Sequence, residues 1–190
     1  MRGCVHIYCG DGKGKTSSAV GLAVRASGRG KKVMIVRFLK TEDSGEVEVL
    51  RKIPGITVTP CDRTFGFVFR MNEEQKREAG AYFQSRFETA VKTAVEDGVD
   101  LLVLDEILAS CNYGMVREDD VAEFLRNRPA DMEVVLTGRD PSDRLIALAD
   151  YVLRSKWSNI PTRRESGRAR GLSIRLSFGT QILLDFGVPF

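Results

Sequence analysis

The sequence predicts one α/β domain, a mostly parallel sheet with helices covering both faces. Three observations carry this. Short apolar segments alternate with helical ones along the first 150 residues. Several of those apolar segments are continuous, as in strands buried on both sides. A glycine-rich turn joins the first strand to the first helix. The 190 residues suit a single domain at roughly 150 residues per domain.

Taken in order, Val5–Cys9 reads as a short apolar strand. Thr16–Ala26, rich in Ala, Val and Leu, reads as a helix apolar on most sides and therefore well buried, with Gly28 and Gly30 as its stop. Lys32–Phe38 is a β-branched second strand, and Ile56–Thr59 a short third. Asn72 caps a long helix, with Gln75 three residues on as in a capping box. Phe83, Phe87, Ala90, Val91, Ala94 and Val95 fall on its apolar face, and Gly98 ends it. Asp100–Leu104 is a continuous apolar strand. A helix around Asp119–Asn127 stops before Pro129, Glu133–Thr137 is another buried strand, and Pro141 opens a helix to about Ala149. Parallel strands place their ligand-facing ends along one sheet edge.

Composition narrows the function. At 43% hydrophobic and 29% charged residues, the chain is neither disordered nor collagen-like. No apolar run approaches the roughly 18–20 residues of a membrane helix, and the start lacks a signal-peptide pattern. Cys4, Cys9, Cys61 and Cys111 form no Cys-x-x-Cys pair, and His6 is the one histidine. Zinc and disulfide frameworks are therefore poorly supported. The cysteines read as mostly buried thiols of a cytoplasmic protein. His6 lies in an apolar strand pattern and reads as structural rather than catalytic. Residues 152–190 hold seven of the 29 basic residues and two of the 26 acidic ones, which leaves the rest at −2. A mildly acidic body does not look like a nucleic-acid binder.

The sharpest signal is Gly10-Asp11-Gly12-Lys13-Gly14-Lys15-Thr16-Ser17. Between a strand and a helix, this is the setting of a phosphate-binding loop. Glycines let backbone N–H groups turn toward phosphate oxygens at the positive end of the helix. Lys15 supplies a point charge to phosphate, and the Thr16 hydroxyl is a Mg²⁺ ligand. Cys9 stands where the strict pattern has its first glycine, so the loop is a variant. Leu101-Leu102-Val103-Leu104-Asp105-Glu106 is an apolar strand ending in acids, the Walker B position, where a carboxylate holds Mg²⁺. Arg139, after Leu136-Thr137-Gly138 on the same edge, reads as a phosphate or substrate contact or as a surface ion pair. Lys40 reads as a contact to nucleotide or substrate. The fold expected is thus a P-loop NTPase-like three-layer αβα domain over residues 1–152.

These residues resemble the P-loop corrinoid adenosyltransferases. Gly28-Arg29-Gly30, Phe38-Leu39-Lys40, Gly45-Glu46, Gly66-Phe67, Val103-Leu104-Asp105-Glu106, Arg128-Pro129, Leu136-Thr137-Gly138-Arg139 and Ala149-Asp150 extend the resemblance in order over residues 2–152. Family members usually have Gln where this chain has Arg37, and often Asn or Thr where it has Leu108. The resemblance implies transfer of the 5′-deoxyadenosyl group of ATP to the Co(I) of a reduced corrinoid, with release of triphosphate. It implies Mg²⁺ as cofactor, a homodimer, and a cobalt-reducing flavoprotein as partner. No protein nucleophile is needed, since cobalt carries it. Two other readings use the same loop: a nucleotide or small-molecule kinase, which would make ADP, and a non-catalytic ATP-binding module.

After Val152 the resemblance stops. Family members continue with a segment like Lys-His-Pro-Tyr, then Gly-Ile-x-Ala-x-x-Gly-Ile-Glu-Tyr. Codons built from the last base of each codon and the first two of the next permit His or Tyr at Asn159/Ile160, Pro at Ile160/Pro161 and Tyr at Pro161/Thr162. They permit Gly at Arg164/Glu165, Ile or Val at Glu165/Ser166, Ala at Gly167/Arg168, Gly at Arg170/Gly171, Glu at Leu172/Ser173 and Tyr at Ser173/Ile174. The atypical tail, 153–190, therefore reads as a frame change near Val152–Leu153, which the nucleotide sequence there would test. The rival is a genuine divergent tail with a β-hairpin from Leu172–Phe178 and Gln181–Phe186.

Overall fold

Six parallel strands make one sheet in the order β3-β2-β4-β5-β1-β6. They are β1 (Val5–Cys9), β2 (Val33–Arg37), β3 (Ile56–Val58), β4 (Leu101–Asp105), β5 (Glu133–Thr137) and β6 (Tyr151–Arg154). The computed structural model describes residues 2–66 and 68–156. The readings made for the tail beyond 156, the frame change and the hairpin among them, lie outside the described residues.

The helices are α1 (Lys15–Ser27), α2 (Gly45–Leu50), α3 (Glu73–Glu96), α4 (Ile107–Asn112), α5 (Glu118–Asn127) and α6 (Asp143–Ile146). Side chains alternate along each strand, so the sheet feeds two cores. Leu101 and Val103 pack with Ala19 and Ala23 of α1 and Val47 and Leu50 of α2. Leu102 and Leu104 pack on the other face with Phe83, Phe87 and Ala90 of α3 and Val121 and Leu125 of α5. This is the expected three-layer αβα arrangement. β2 and β4 are buried at every position, which explains their continuous apolar sequences. Asn72 caps α3 as predicted, with both halves of the capping box formed (Gln75 N–H to Asn72 Oδ1, 2.8 Å; Asn72 N–H to Gln75 Oε1, 3.0 Å).

The structure differs from the sequence reading at several elements. α1 buries only Ala19 and Ala23, and Val24 is 43% exposed, so the helix lies on the sheet along a narrow small-residue stripe instead of being buried all round. Val95 is likewise exposed. α2 and α4, each six residues long, show no clear helical period in sequence. The last helix is one turn, capped by Ser142, whose hydroxyl accepts from the Leu145 N–H at 3.2 Å. Of the cysteines, Cys9 alone is fully buried, and the other three are half-buried free thiols. β6 runs across residue 152 and pairs with β1 through His6–Tyr151, Ile7–Val152, Tyr8–Leu153 and Cys9–Arg154. Leu153 and Arg154 thus belong to the sheet.

Candidate nucleotide and metal site

Because all strands are parallel, the segments that follow β1, β2, β4, β5 and β6 leave from one edge of the sheet. The site is built there. Gly10 and Gly14 hold the loop after β1 in left-handed conformations (φ 104° and 103°) that L side chains rarely adopt. Gly14 forms the N-cap of α1 and offers no side-chain cap, so the first N–H groups of that helix face the loop. Lys15 turns back over the loop, and its ammonium donates to the carbonyls of Gly10 (2.8 Å) and Gly12 (2.7 Å). Burial pushes its pKa down, helped by the charge of Arg139, while Glu106 and Asp11 oppose the shift.

The loop is clamped by a residue that the sequence reading placed in the tail. Ser155, just after β6, donates its N–H to Cys9 O (2.8 Å), and its carbonyl accepts from the Gly12 N–H (3.1 Å). Its hydroxyl donates to Cys9 O (3.2 Å) and Gly12 O (3.1 Å). A Cβ on Gly10 would stand 2.2 Å from Ser155 O. Glycine at position 10 is therefore required by packing as well as by φ.

At the end of β4, Asp105 is 1% exposed. Its Oδ1 accepts from the hydroxyls of Thr16 (2.9 Å) and Thr137 (2.7 Å), and its Oδ2 accepts from the Lys40 ammonium (2.5 Å). Lys40 also donates to Thr16 Oγ1 at 2.8 Å. Glu106 has φ 63°, an uncommon conformation for a non-glycine residue, and starts α4. Its N–H donates to Thr137 Oγ1 at 2.9 Å. Thr137 therefore holds Asp105 by its carboxylate and Glu106 by its backbone. Gly138 makes the tight turn possible, since a Cβ there would meet Leu108 Cβ at 2.7 Å.

The sequence-predicted residues thus divide. Thr16, Lys40 and Asp105 meet at one point, while the Lys15 ammonium lies over the glycine loop, on the carbonyls of Gly10 and Gly12. Asp11, Lys13 and Ser17 are exposed on the loop and the first turn of α1. Glu106 is close enough for its charge to act on Lys15. Arg139 is exposed, and its carbonyl accepts from the Asn112 amide (3.0 Å). Its guanidinium makes no ion pair among the described residues. Leu108 is buried against Gly138, so that position cannot reach a substrate. Ser155 escaped the sequence reading, and Thr137 entered it only as part of the segment before Arg139, because nothing local marks a residue that acts across the sheet.

Arg37, the departure noted above, is 2% exposed at the end of β2, opposite Asp105 in the sheet register. Its Nη2 donates to Thr41 O (2.5 Å) and Ser44 Oγ (3.1 Å), fastening the loop that carries Lys40. A wider groove of about 420 Å³, lined by Thr59, Asp62, Tyr82 and Arg86, shares no residue with the site.

Two hydroxyl and carboxylate oxygens beside a lysine-bearing glycine loop suit a hard divalent cation carried on a polyphosphate. The sequence profile of the family described as ATP:corrinoid adenosyltransferase BtuR/CobO/CobP matches residues 1–172. This chain belongs to that family. Among curated family relatives, the corrinoid adenosyltransferase of Pseudomonas aeruginosa is 34% identical over 152 residues, covering 80% of this chain and 73% of the relative. The corrinoid adenosyltransferase of Escherichia coli strain K12 and the corrinoid adenosyltransferase CobA of Salmonella typhimurium are each 33% identical over 153 residues, covering 80% of this chain and 75% of theirs. In shape, the chain aligns with a KaiC-like protein of Pyrococcus horikoshii at 16% identity and a TM-score of 0.47, over 84% of this chain and 75% of that one. Family membership favours neither the kinase nor the non-catalytic alternative.

Proposed function

We propose that this chain transfers the 5′-deoxyadenosyl group of ATP to the Co(I) of a reduced corrinoid, in adenosylcobalamin biosynthesis or salvage. The observation that carries the reading is the Thr16–Asp105 hydrogen bond at the N-terminus of α1, next to a glycine loop bridged by Lys15, in a chain of this family. The cobalt lone pair forms a bond to the ribose C5′. The C5′–O bond breaks, and its electron pair leaves on triphosphate.

The leaving group is a polyanion, and the protein's work is to hold it and align C5′. The amides of the Gly10–Ser17 segment and the ammonium of Lys15 bind its oxygens, with Arg139 adding positive potential from the rim. Thr16 and Asp105 fit Mg²⁺ as oxygen donors, with Glu106 beside them. Bound there, the ion would neutralise phosphate charge as a Lewis acid. Thr137 orients Asp105 through its hydroxyl. Lys40 approaches from the β2 side, next to the same oxygens.

The same reading makes the protein a cytoplasmic homodimer that receives reduced corrinoid through a flavoprotein. Family resemblance supports the dimer and the flavoprotein. The cytoplasm is supported by four free thiols and by the absence, among the described residues, of any helix long and apolar enough to cross a membrane. The test is anaerobic incubation with Mg-ATP and chemically reduced cobalamin. Triphosphate and a new adenosyl–cobalt absorbance are expected in equal amounts. ADP with no cobalt–carbon bond would show a kinase instead.

A further inference from the structure

We propose that Lys40 is an internal counter-ion for the metal position. Without nucleotide its ammonium neutralises Asp105, and on loading it gives that position up and turns to the triphosphate. The inference rests on the assignment of Thr16 and Asp105 as metal ligands under the proposed function.

The geometry points to this. The Lys40 ammonium lies 2.5 Å from Asp105 Oδ2 and 2.8 Å from Thr16 Oγ1. Those are the oxygens through which a divalent ion would be held. A buried carboxylate needs a paired charge, and Lys40 is the cation paired with Asp105 among the described residues. Two other cations near the site are committed elsewhere, and Arg139 is exposed at its rim. Arg37 holds Thr41 and Ser44, and Lys15 holds the carbonyls of its own loop. A metal ion at 2.0–2.1 Å from the same oxygens and an ammonium at hydrogen-bond distance repel each other and cannot both stay.

The local structure lets the side chain move while its backbone stays. Lys40 sits between β2 and α2, just after Leu39 at φ 52°. Arg37 fastens the loop on its far side at Thr41 and Ser44. Lysine is a compact charge on a flexible four-carbon stem, and 22% of this side chain is already exposed. A short swing carries its charge from Asp105 toward the phosphates at the N-terminus of α1. The device keeps a buried acid paired in the empty protein, and it makes free divalent ions poor competitors for the site.

The test uses Mn²⁺ as the probe, followed by electron paramagnetic resonance on the full chain. Without nucleotide, Lys40→Met is expected to bind Mn²⁺ at least tenfold more tightly than wild type, and Asp105→Asn added to it should erase the gain. With ATP present, Lys40→Met should weaken Mn²⁺-ATP binding several-fold. A nucleotide-free Lys40→Met protein, folded by circular dichroism, that binds Mn²⁺ no better than wild type overturns the proposal. Lys40→Gln serves the same purpose if the methionine variant does not fold. The metal assignment fails separately, if Asp105→Asn leaves Mn²⁺ binding to the wild-type ATP complex unchanged.

Discussion

Lys15 carries its charge in partly desolvated surroundings. Burial holds its pKa below the ordinary lysine value, so the neutral form is reached sooner as pH rises. Bound phosphate favours the charged form, and ATP therefore binds best while Lys15 is protonated. ATP affinity should fall on the alkaline side at a lower pH than a solvated lysine would give, and isothermal titration at rising pH checks it. Lys15→Ala should lower turnover by about 10²-fold, as expected for loss of a positioned donor to developing negative charge. Cys111 gives a second pH signature. Burial pushes its thiol up from 9.0 to about 12. The raised value in the folded state means that stability is intact below pH 9 and is lost progressively toward pH 12. The folded protein should also resist alkylation at Cys111 at pH 8.5, while the unfolded chain reacts, and mass spectrometry reads the difference. Glu106 holds a left-handed conformation that costs about 1–3 kcal/mol for a non-glycine residue. Glu106→Gly should raise the thermal midpoint and lower activity together. The loop residues were legible because glycine, lysine and threonine at fixed spacing make their chemistry locally. The roles of Thr137 and Ser155 were not, since they meet their partners Asp105 and Gly12 across 32 and 143 positions of sequence.

At the scale of elements, the short turn after β5 decides whether α4 can start where it does. Gly138 has φ 145°, and its missing Cβ leaves room for Leu108. Gly138→Ala should destabilise the fold by about 1–3 kcal/mol and displace Glu106, because Thr137 and Gly138 are adjacent. Urea unfolding measures the first effect, and nucleotide titration the second. Buried strands and the long α3 were readable because each carries a full period of apolar residues, and in α3 a reciprocal cap as well. α4 was hidden by its entry. It begins on a left-handed glutamate with no side-chain cap, so none of the usual start signals precede it. β6 was hidden by its place at the sheet edge. Its pattern has no buried position, with Tyr151 and Arg154 exposed, and its role comes from pairing with β1.

At the scale of the whole molecule, the glycine loop is held by two segments far apart in sequence, β1 and the residues that follow β6. A chain ending at Val152 would lose half of β6 and the whole Ser155 clamp. It should bind ATP at least tenfold more weakly than a chain ending at Lys156, which keeps every contact to Gly10 and Gly12 described above. Nucleotide titration of the two truncations checks this, with circular dichroism confirming a common fold. The overall architecture was legible from the alternation of elements, but the strand order was not. Nothing in the residues of β1 says that its neighbours are β5 and β6.

That strand order also has a temporal side. β1 leaves the ribosome first, yet its hydrogen-bonding partners lie at Val134–Thr137 and Tyr151–Arg154. Until those segments emerge, β1 has no strand to pair with, and the glycine loop has no Ser155 to fold against. β2, β3 and β4 pair among themselves and are free to assemble earlier. Such long-range closure is slow to form, and it makes nucleotide binding one of the last properties that a newly made chain acquires. ATP capture by nascent chains of increasing length should therefore appear abruptly once β6 has been synthesised, and a cell would load only molecules whose sheet is already complete.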